Sequence, residues 1–283
     1  MPNIAESLAN AATALKTAGI DDSRREAISL LCFALGKDRA FLIAHPEYEL
    51  RRDEAELFDS LVKRRADREP FHHITGIKEF YGLDFLVSPD VLIPRPETEM
   101  LVAKSIELLT QGQNSPVFCE VGIGSGCIAI SVLHNVASAT AVGIDISDAA
   151  IATAKLNAEN NRVSDRLTLL KSDIFDQLGQ QHFDLIVSNP PYIPVREIPG
   201  LQPEVGDFEP HIALTDGSNG LSIVEKIIRR SSAYLKPGGS LVMEIGIGQA
   251  GEVSRMFDAD RWVEVEIVPD IQAIPRMVFA VFG

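Results

Sequence analysis

From Thr98 to the last residue, short apolar runs alternate with helical patterns, and this alternation most restricts the fold open to the chain. The apolar runs cover residues 116–121, 141–145, 167–171, 183–188, 240–245, 263–268 and 277–282. Helical patterns fall at about 98–110, 126–135, 148–160, 220–235 and 249–257. Strands that stay apolar along their length are buried on both faces, so the pattern predicts a mostly parallel sheet covered by helices. Too few residues join the last two runs for a helical crossover, and these strands are expected to pair antiparallel.

Residues 1–70 show no strand pattern and predict a small helical bundle. Leu8, Ala11, Ala12 and Leu15 repeat at helical spacing. Asp21, Asp22 and Ser23 are placed to cap a second helix carrying Ile28, Leu31 and Leu35, which Gly36 can end. Phe41, Leu42 and Ile43 belong to a third short helix, and a fourth is expected from about Glu54 to Ala66. From His72 to Leu92 the sequence is rich in Phe, Tyr, Ile and Val, with breaks at Gly76 and Gly82. This reads as one or two strands with a tight turn and predicts a linking β-hairpin over 71–95. Pro94 and Pro96 end it, since the residue before each proline is driven out of helical geometry. The expected domains are therefore 1–70, 71–95 and 96–283. His72 and His73 are adjacent on the expected strand, so their side chains should diverge, and no metal site is expected.

The formal net charge of −14 argues against a protein that grips nucleic acid through counterion release. It favours a protein or small-molecule acceptor. Cys32, Cys119 and Cys127 form no CxxC pair, so neither a disulfide framework nor a zinc site is expected, and a cytoplasmic location is. Neither a signal peptide nor a membrane span is expected.

Glu120, Gly122, Ile123, Gly124, Ser125 and Gly126 lie where the first strand of the alternating region turns into a helix. Glycines there let the backbone turn sharply and approach a ligand. The spacing is G-x-G-x-G, whereas a dinucleotide fingerprint needs G-x-G-x-x-G to seat a pyrophosphate. An acidic residue beside the turn suits a ligand with a sulfonium and an α-amino group, which points to S-adenosyl-L-methionine. Asp145 ends the next strand, where a carboxylate can accept bonds from both ribose hydroxyls. Ser147 and Asp148 fit the helix-cap role better than Asp145 does. Asp173 follows the third strand and is placed to meet the adenine amino group. Gly246 and Gly248 also follow a strand but lack a third glycine and a downstream acid, and read as a turn. Cys127 reads as a small helix residue rather than a nucleophile, and Trp262 as packing.

Asn189-Pro190-Pro191-Tyr192 follows the apolar strand 183–188. Two prolines cannot continue a central strand, so they fix a rigid turn at the carboxyl edge of the sheet, where open α/β folds bind ligands. An amide nitrogen is a poor nucleophile because its lone pair is delocalised. The Asn189 side-chain oxygen and the Pro190 carbonyl can each accept one N–H of a planar NH2 group, orienting it and favouring the charge that builds during methyl transfer. Tyr192 can pack on the planar acceptor and exclude water. Holding nitrogen and methyl carbon in line supplies most of the effect, and no general base is needed for the attack itself. Catalytic roles are thus expected for Asn189, Pro190 and Tyr192, with Pro191 helping to bind the acceptor.

With these motifs the chain resembles the HemK/PrmC family, the protein-(glutamine-N5) methyltransferases of peptide chain release factors. The likeness also includes residues 70–76, Phe80-Tyr81-Gly82, the segment from Leu92 to Glu99, Glu209-Pro210, Gly217, Gly220-Leu221 and Lys236-Pro237-Gly238-Gly239. The resemblance implies a Rossmann-like seven-stranded class I methyltransferase domain behind a helical bundle. It implies S-adenosyl-L-methionine as cofactor, S-adenosyl-L-homocysteine as product, and the glutamine of a Gly-Gly-Gln motif as acceptor. By resemblance, Gly122 to Gly126, Asp145 and Asn189 contact the cofactor, while Arg95, Pro96 and Thr98 help wall the acceptor pocket. The bundle would help dock the release factor, and a monomer is expected, without direct nucleic-acid or membrane partners. Two positions depart from the family pattern: Glu120 stands where many members carry aspartate, and Ile174 where some carry tryptophan beside the adenine. The Asn-Pro-Pro-Tyr loop alone is shared with adenine-N6 methyltransferases of DNA or RNA, which remain the alternative. The net charge and the Pro94–Glu99 segment weigh against it.

Overall fold

In the computed structural model, which describes residues 1–111 and 114–283, the helical spacing of the N-terminal apolar residues closes them into a bundle. Its helices are α1 (Ile4–Thr17), α2 (Ser23–Leu35), α3 (Arg39–Ala44), α4 (Arg52–Ala66) and α5 (Phe71–Thr75). Asn3 and Glu6 form a reciprocal capping box that starts α1, and Gly36 ends α2 in the left-handed region at φ +59°. Asp22 stands at the start of α2 as expected, but its side chain caps no backbone N–H and instead pairs with Arg25. Ile4, Leu15, Leu30, Leu31 and Phe58 lie in the bundle core.

The expected β-hairpin over 71–95 is corrected at both ends: it stops at Leu86, and residues 87–95 form no strand. Pro70 precedes a single helical turn, α5, and Gly76 closes it at φ +75°. Gly76 is thus a helix stop rather than a strand break, and His72 and His73 sit on a helix, not on opposite faces of a strand. The hairpin proper is β1 (Ile77–Phe80) and β2 (Leu83–Leu86), joined by Tyr81 and Gly82 at φ +52° and +76°. Two left-handed residues give the tight turn whose twist matches paired strands.

The bundle unit comprises residues 1–76 together with 202–208, while 77–201 and 209–283 form the second unit. Within the bundle unit Glu204 accepts bonds from Arg65 at 2.9 Å and Arg68 at 2.6 Å, and Arg65 also donates to Glu26. The Arg65 side chain is only 7% exposed, and such a cation needs carboxylate partners.

The second unit continues with a 3-10 turn at Pro96–Thr98 and α6 (Glu99–Thr110). Then come β3 (Val117–Val121), α7 (Cys127–Asn135), β4 (Thr140–Asp145), α8 (Asp148–Asn160), β5 (Leu167–Lys171) and β6 (Phe183–Ser188). Two single-turn helices, α9 (Pro203–Gly206, within the bundle unit) and α10 (His211–Leu214), lie in the long loop that follows. The chain ends with α11 (Ser222–Ser231), β7 (Leu235–Glu244), α12 (Ala250–Ser254), β8 (Trp262–Pro269) and β9 (Pro275–Phe282).

The seven-stranded sheet runs β5-β4-β3-β6-β7-β9-β8, parallel through β7. The last two strands pair antiparallel as expected, and β9 also pairs antiparallel with β7, which the sequence pattern does not specify. Alternate residues of β3 face separate cores: Phe118 packs with Leu185 and Val187, while Cys119 and Val121 pack with Ile186. Strand order reverses between β3 and β6, and the crevice at such a point is where ligands of open α/β sheets bind. Val121 registers with both Ile144 and Ser188. Gly122 and Asn189 therefore leave the sheet side by side, with Asp145 one strand away. No described helix is long and apolar enough to cross a membrane.

Candidate active site

The wall beside β3 and β4 is made mostly of backbone. The Gly122 and Ile123 N–H groups both donate to the Ile144 carbonyl at 2.9 Å, which folds the turn against β4. Gly122, Gly124 and Gly126 have φ of +73°, +54° and +82°, where a side chain would strain the chain. At Gly126 a Cβ would also come within 2.7 Å of the Ile130 side chain, so the third glycine serves the packing of α7. Asp145 accepts from the Gly124 N–H and the Ser147 N–H, each at 2.9 Å. Ser147, not Asp145, caps α8, through the Ala150 N–H.

Glu120 is 1% exposed and accepts from the Ala129 N–H at 2.7 Å. Burial pushes its carboxyl well above the usual range, against the lowering effect of that bond. Burial likewise raises the Cys127 thiol, which removes the thiolate a nucleophile needs. Ile174 is held at φ +50°, an outlying conformation for a β-branched residue. Such strain persists only where the surroundings impose it, and here the residue faces a ligand-sized cavity.

The opposite wall, at β6 and β7, is made of side chains. The Asn189 Nδ2 group donates to Thr98 Oγ1 at 3.1 Å, and the Thr98 hydroxyl donates to Glu244 Oε2 at 2.7 Å. The Tyr192 hydroxyl donates to the other oxygen, Glu244 Oε1, at 2.9 Å. Glu244 is 1% exposed, and burial raises its carboxyl despite the bonds from Thr98 and Tyr192. The Tyr192 hydroxyl is also pushed up, by burial and then by the Glu244 charge. Gln249 Nε2 donates to the Tyr192 carbonyl at 2.9 Å, and its Oε1 accepts from Gly246. Gly246 and Gly248 are a turn, as expected, and Gly246 gives Gln249 and Tyr192 their room: a Cβ there would come within 2.8 Å of Gln249 Oε1 and 3.2 Å of the tyrosine ring. Arg95 grips both oxygens of buried Glu209, at 2.7 and 2.6 Å, which fastens the returning limb of the loop after Tyr192.

Between the walls lies a cavity of about 280 Å³. Its lining includes Glu120, Gly122, Ile123, Gly124, Ser125, Asp145, Asp173 and Ile174 on one side. Arg95, Thr98, Asn189, Pro190 and Pro191 line the other. Three of the sequence-predicted residues stand outside the lining: Gly126 under α7, Pro96 in the turn before Thr98, and Tyr192, whose hydroxyl is turned to Glu244. Asp90, Val91, Ile212, Ala213 and Thr215 also line it, although no motif marks them, as does Leu92 at the start of the Leu92–Glu99 segment. Glu244 is also unmarked by any motif, although it carries a signal. It is a carboxylate at the carboxyl end of an otherwise apolar strand, a placement costly enough to need a reason.

The lining carries the acidic side chains of Asp90, Glu120, Asp145, Asp173 and Asp216 but, among the described residues, a single guanidinium, Arg95, already paired with Glu209. Such a donor set suits a cationic ligand with hydroxyls to bind and does not suit a pyrophosphate. Asp216 is itself committed to the backbone N–H groups of Ser218, Gly220 and Ser222.

Residues 6–76 match the PrmC N-terminal domain, and residues 100–198 match the methyltransferase small domain. The chain is 43% identical over 260 residues to a release factor glutamine methyltransferase of Geobacter sulfurreducens, a match covering 92% of this chain and 90% of the relative. It is 41% identical over 266 residues to another of that name from Koribacter versatilis, covering 93% of each. A methyltransferase crystal structure from Pyrococcus furiosus matches at a TM-score of 0.52 and 18% identity, covering 72% of this chain and 91% of that one. That likeness speaks for the fold alone.

Proposed function

The chain belongs to the release factor glutamine methyltransferase family, HemK/PrmC, and on that premise we propose that it methylates N5 of the glutamine in the Gly-Gly-Gln motif of peptide chain release factors. S-adenosyl-L-methionine, when bound, supplies an electrophilic methyl carbon on a sulfonium. The observation that carries the reading is the shared register of Val121 with Ile144 and Ser188, which sets a carboxylate-rich glycine turn beside Asn189-Pro190-Pro191 over one cavity.

In this reading Gly122 to Ser125 let the backbone come close to the ligand, and Asp145 accepts bonds from ribose hydroxyls. Asp173 and Ile174 flank the adenine, and Glu120 sets a carboxyl near the amino group. The Asn189 Oδ1 atom and the Pro190 carbonyl accept the two N–H groups of the glutamine amide, stabilising the charge that builds on its nitrogen. Pro190 and Pro191 hold that geometry rigid and keep water out, while Arg95 and Thr98 close the pocket and Pro96 starts the turn that carries Thr98. Tyr192 braces the acceptor wall. The bundle is proposed to help dock the release factor, and the enzyme to act in the cytoplasm as a monomer.

Mass spectrometry of release factor incubated with enzyme and cofactor tests this reading. A one-methyl gain on the glutamine of the Gly-Gly-Gln peptide is expected. Methyl label found only in nucleic acid would overturn it.

A further inference from the structure

We infer that Thr98 and Glu244 form a relay that sets which end of the Asn189 amide faces the acceptor, making Glu244 a positioning residue for the transfer; this rests on the function proposed above. The case comes from counting protons. A threonine hydroxyl has one hydrogen to give, and Thr98 gives it to Glu244 Oε2 at 2.7 Å. With that hydrogen committed, Thr98 Oγ1 can only accept from Asn189, and the atom it accepts from is Nδ2, at 3.1 Å. The Asn189 oxygen is then the end left for the cavity, and among the described residues no donor engages it. An oxygen there receives the N–H of an amide and repels a carboxylate. An NH2 group there would do the reverse.

Glu244 is suited to this task because both of its oxygens serve as acceptors here. It takes Thr98 on one oxygen and Tyr192 on the other, so neither hydroxyl can turn its hydrogen elsewhere. A glutamine in its place could donate to Thr98. Thr98 would then turn its own hydrogen to Asn189, and the amide would rotate. Thr98 is 2% exposed, so water cannot substitute for either partner.

The test compares Thr98→Val, Thr98→Ser and Glu244→Gln with the wild type, using full-length enzyme, release factor and S-adenosyl-L-methionine. Thr98→Val and Glu244→Gln should lower kcat by about tenfold to a hundredfold, while cofactor Kd by calorimetry stays within about twofold. Thr98→Ser keeps the hydroxyl and should restore most of the rate. A release-factor peptide with Glu in place of the acceptor Gln should inhibit the Thr98→Val enzyme more strongly than the wild type, a change that loosened packing alone would not cause. Undiminished kcat in Thr98→Val, or equal losses in Thr98→Val and Thr98→Ser, overturns the relay. The two threonine variants decide the matter even where Glu244→Gln fails to fold. A wild-type enzyme that leaves release factor unmethylated overturns the underlying function instead.

Discussion

The two walls of the cavity are built by different means. Around Gly122–Gly126 the shape comes from backbone: positive φ angles, two N–H groups on one carbonyl, and an aspartate reached 21 residues later. Around Asn189 it comes from side chains distant in sequence, with Thr98 at a separation of 91 residues, and Thr98 bonded to Glu244 at a separation of 146. A backbone wall resists substitution except at its glycines. A side-chain wall can be detuned atom by atom without disturbing the fold, so under the proposed function the glycine-turn wall should control cofactor affinity and the Asn189 wall rate.

The largest effect that would sharpen this contrast is expected from Asn189→Ala. Transfer should slow by about a hundredfold to a thousandfold, with cofactor affinity nearly unchanged by calorimetry. If binding falls in step with rate, the division between the walls is wrong. Asp145→Ala should do the opposite, weakening cofactor binding by about tenfold to a hundredfold while single-turnover rate at saturating cofactor stays near wild type. A rate defect that persists at saturation would break the comparison from the other side.

Paired glycine substitutions probe the same contrast with smaller effects. Gly124→Ala strains a left-handed residue that has no atom near the added Cβ, so it should cost about 1 kcal/mol of stability and act on cofactor KM. Gly220→Ala drives a Cβ into the Tyr192 carbonyl, and should lower both the melting temperature and kcat as Tyr192 shifts. The mildest change, Arg95→Lys, keeps the charge but loses the guanidinium's grip on Glu209. A loss of roughly threefold in kcat/KM for release factor is expected, with no change in cofactor Kd.

This difference in construction also governed what could be read in the sequence. The glycine turn, Asp145 and the Asn-Pro-Pro-Tyr loop are contiguous or regularly spaced, and each sits at a strand end that its apolar run announces. Glu244 carries its meaning through Thr98 and Tyr192, and nothing in its neighbourhood names them. The insertion of β9 between β7 and β8 is likewise a pairing choice that periodicity does not encode. At 71–75 the local signal was ambiguous: a short apolar stretch between Pro70 and Gly76 suits a strand or one helical turn, and the left-handed glycine decides for the helix. Tyr192 is legible as part of the loop, but which way its hydroxyl turns depends on a carboxylate 52 residues away.

Residues 202–208 belong to the bundle unit although the rest of that unit ends at Gly76. During synthesis the helices of the bundle therefore emerge long before it is complete. Arg65 has Glu26 from the start, but its second carboxylate, and the carboxylate partner of Arg68, arrive only with Glu204. The chain leaves the bundle, lays down β1 to β6, returns for seven residues and departs again to finish the sheet. No single cut can then release an intact bundle, and a fragment ending at residue 76 would lack the Glu204 partner of both Arg65 and Arg68.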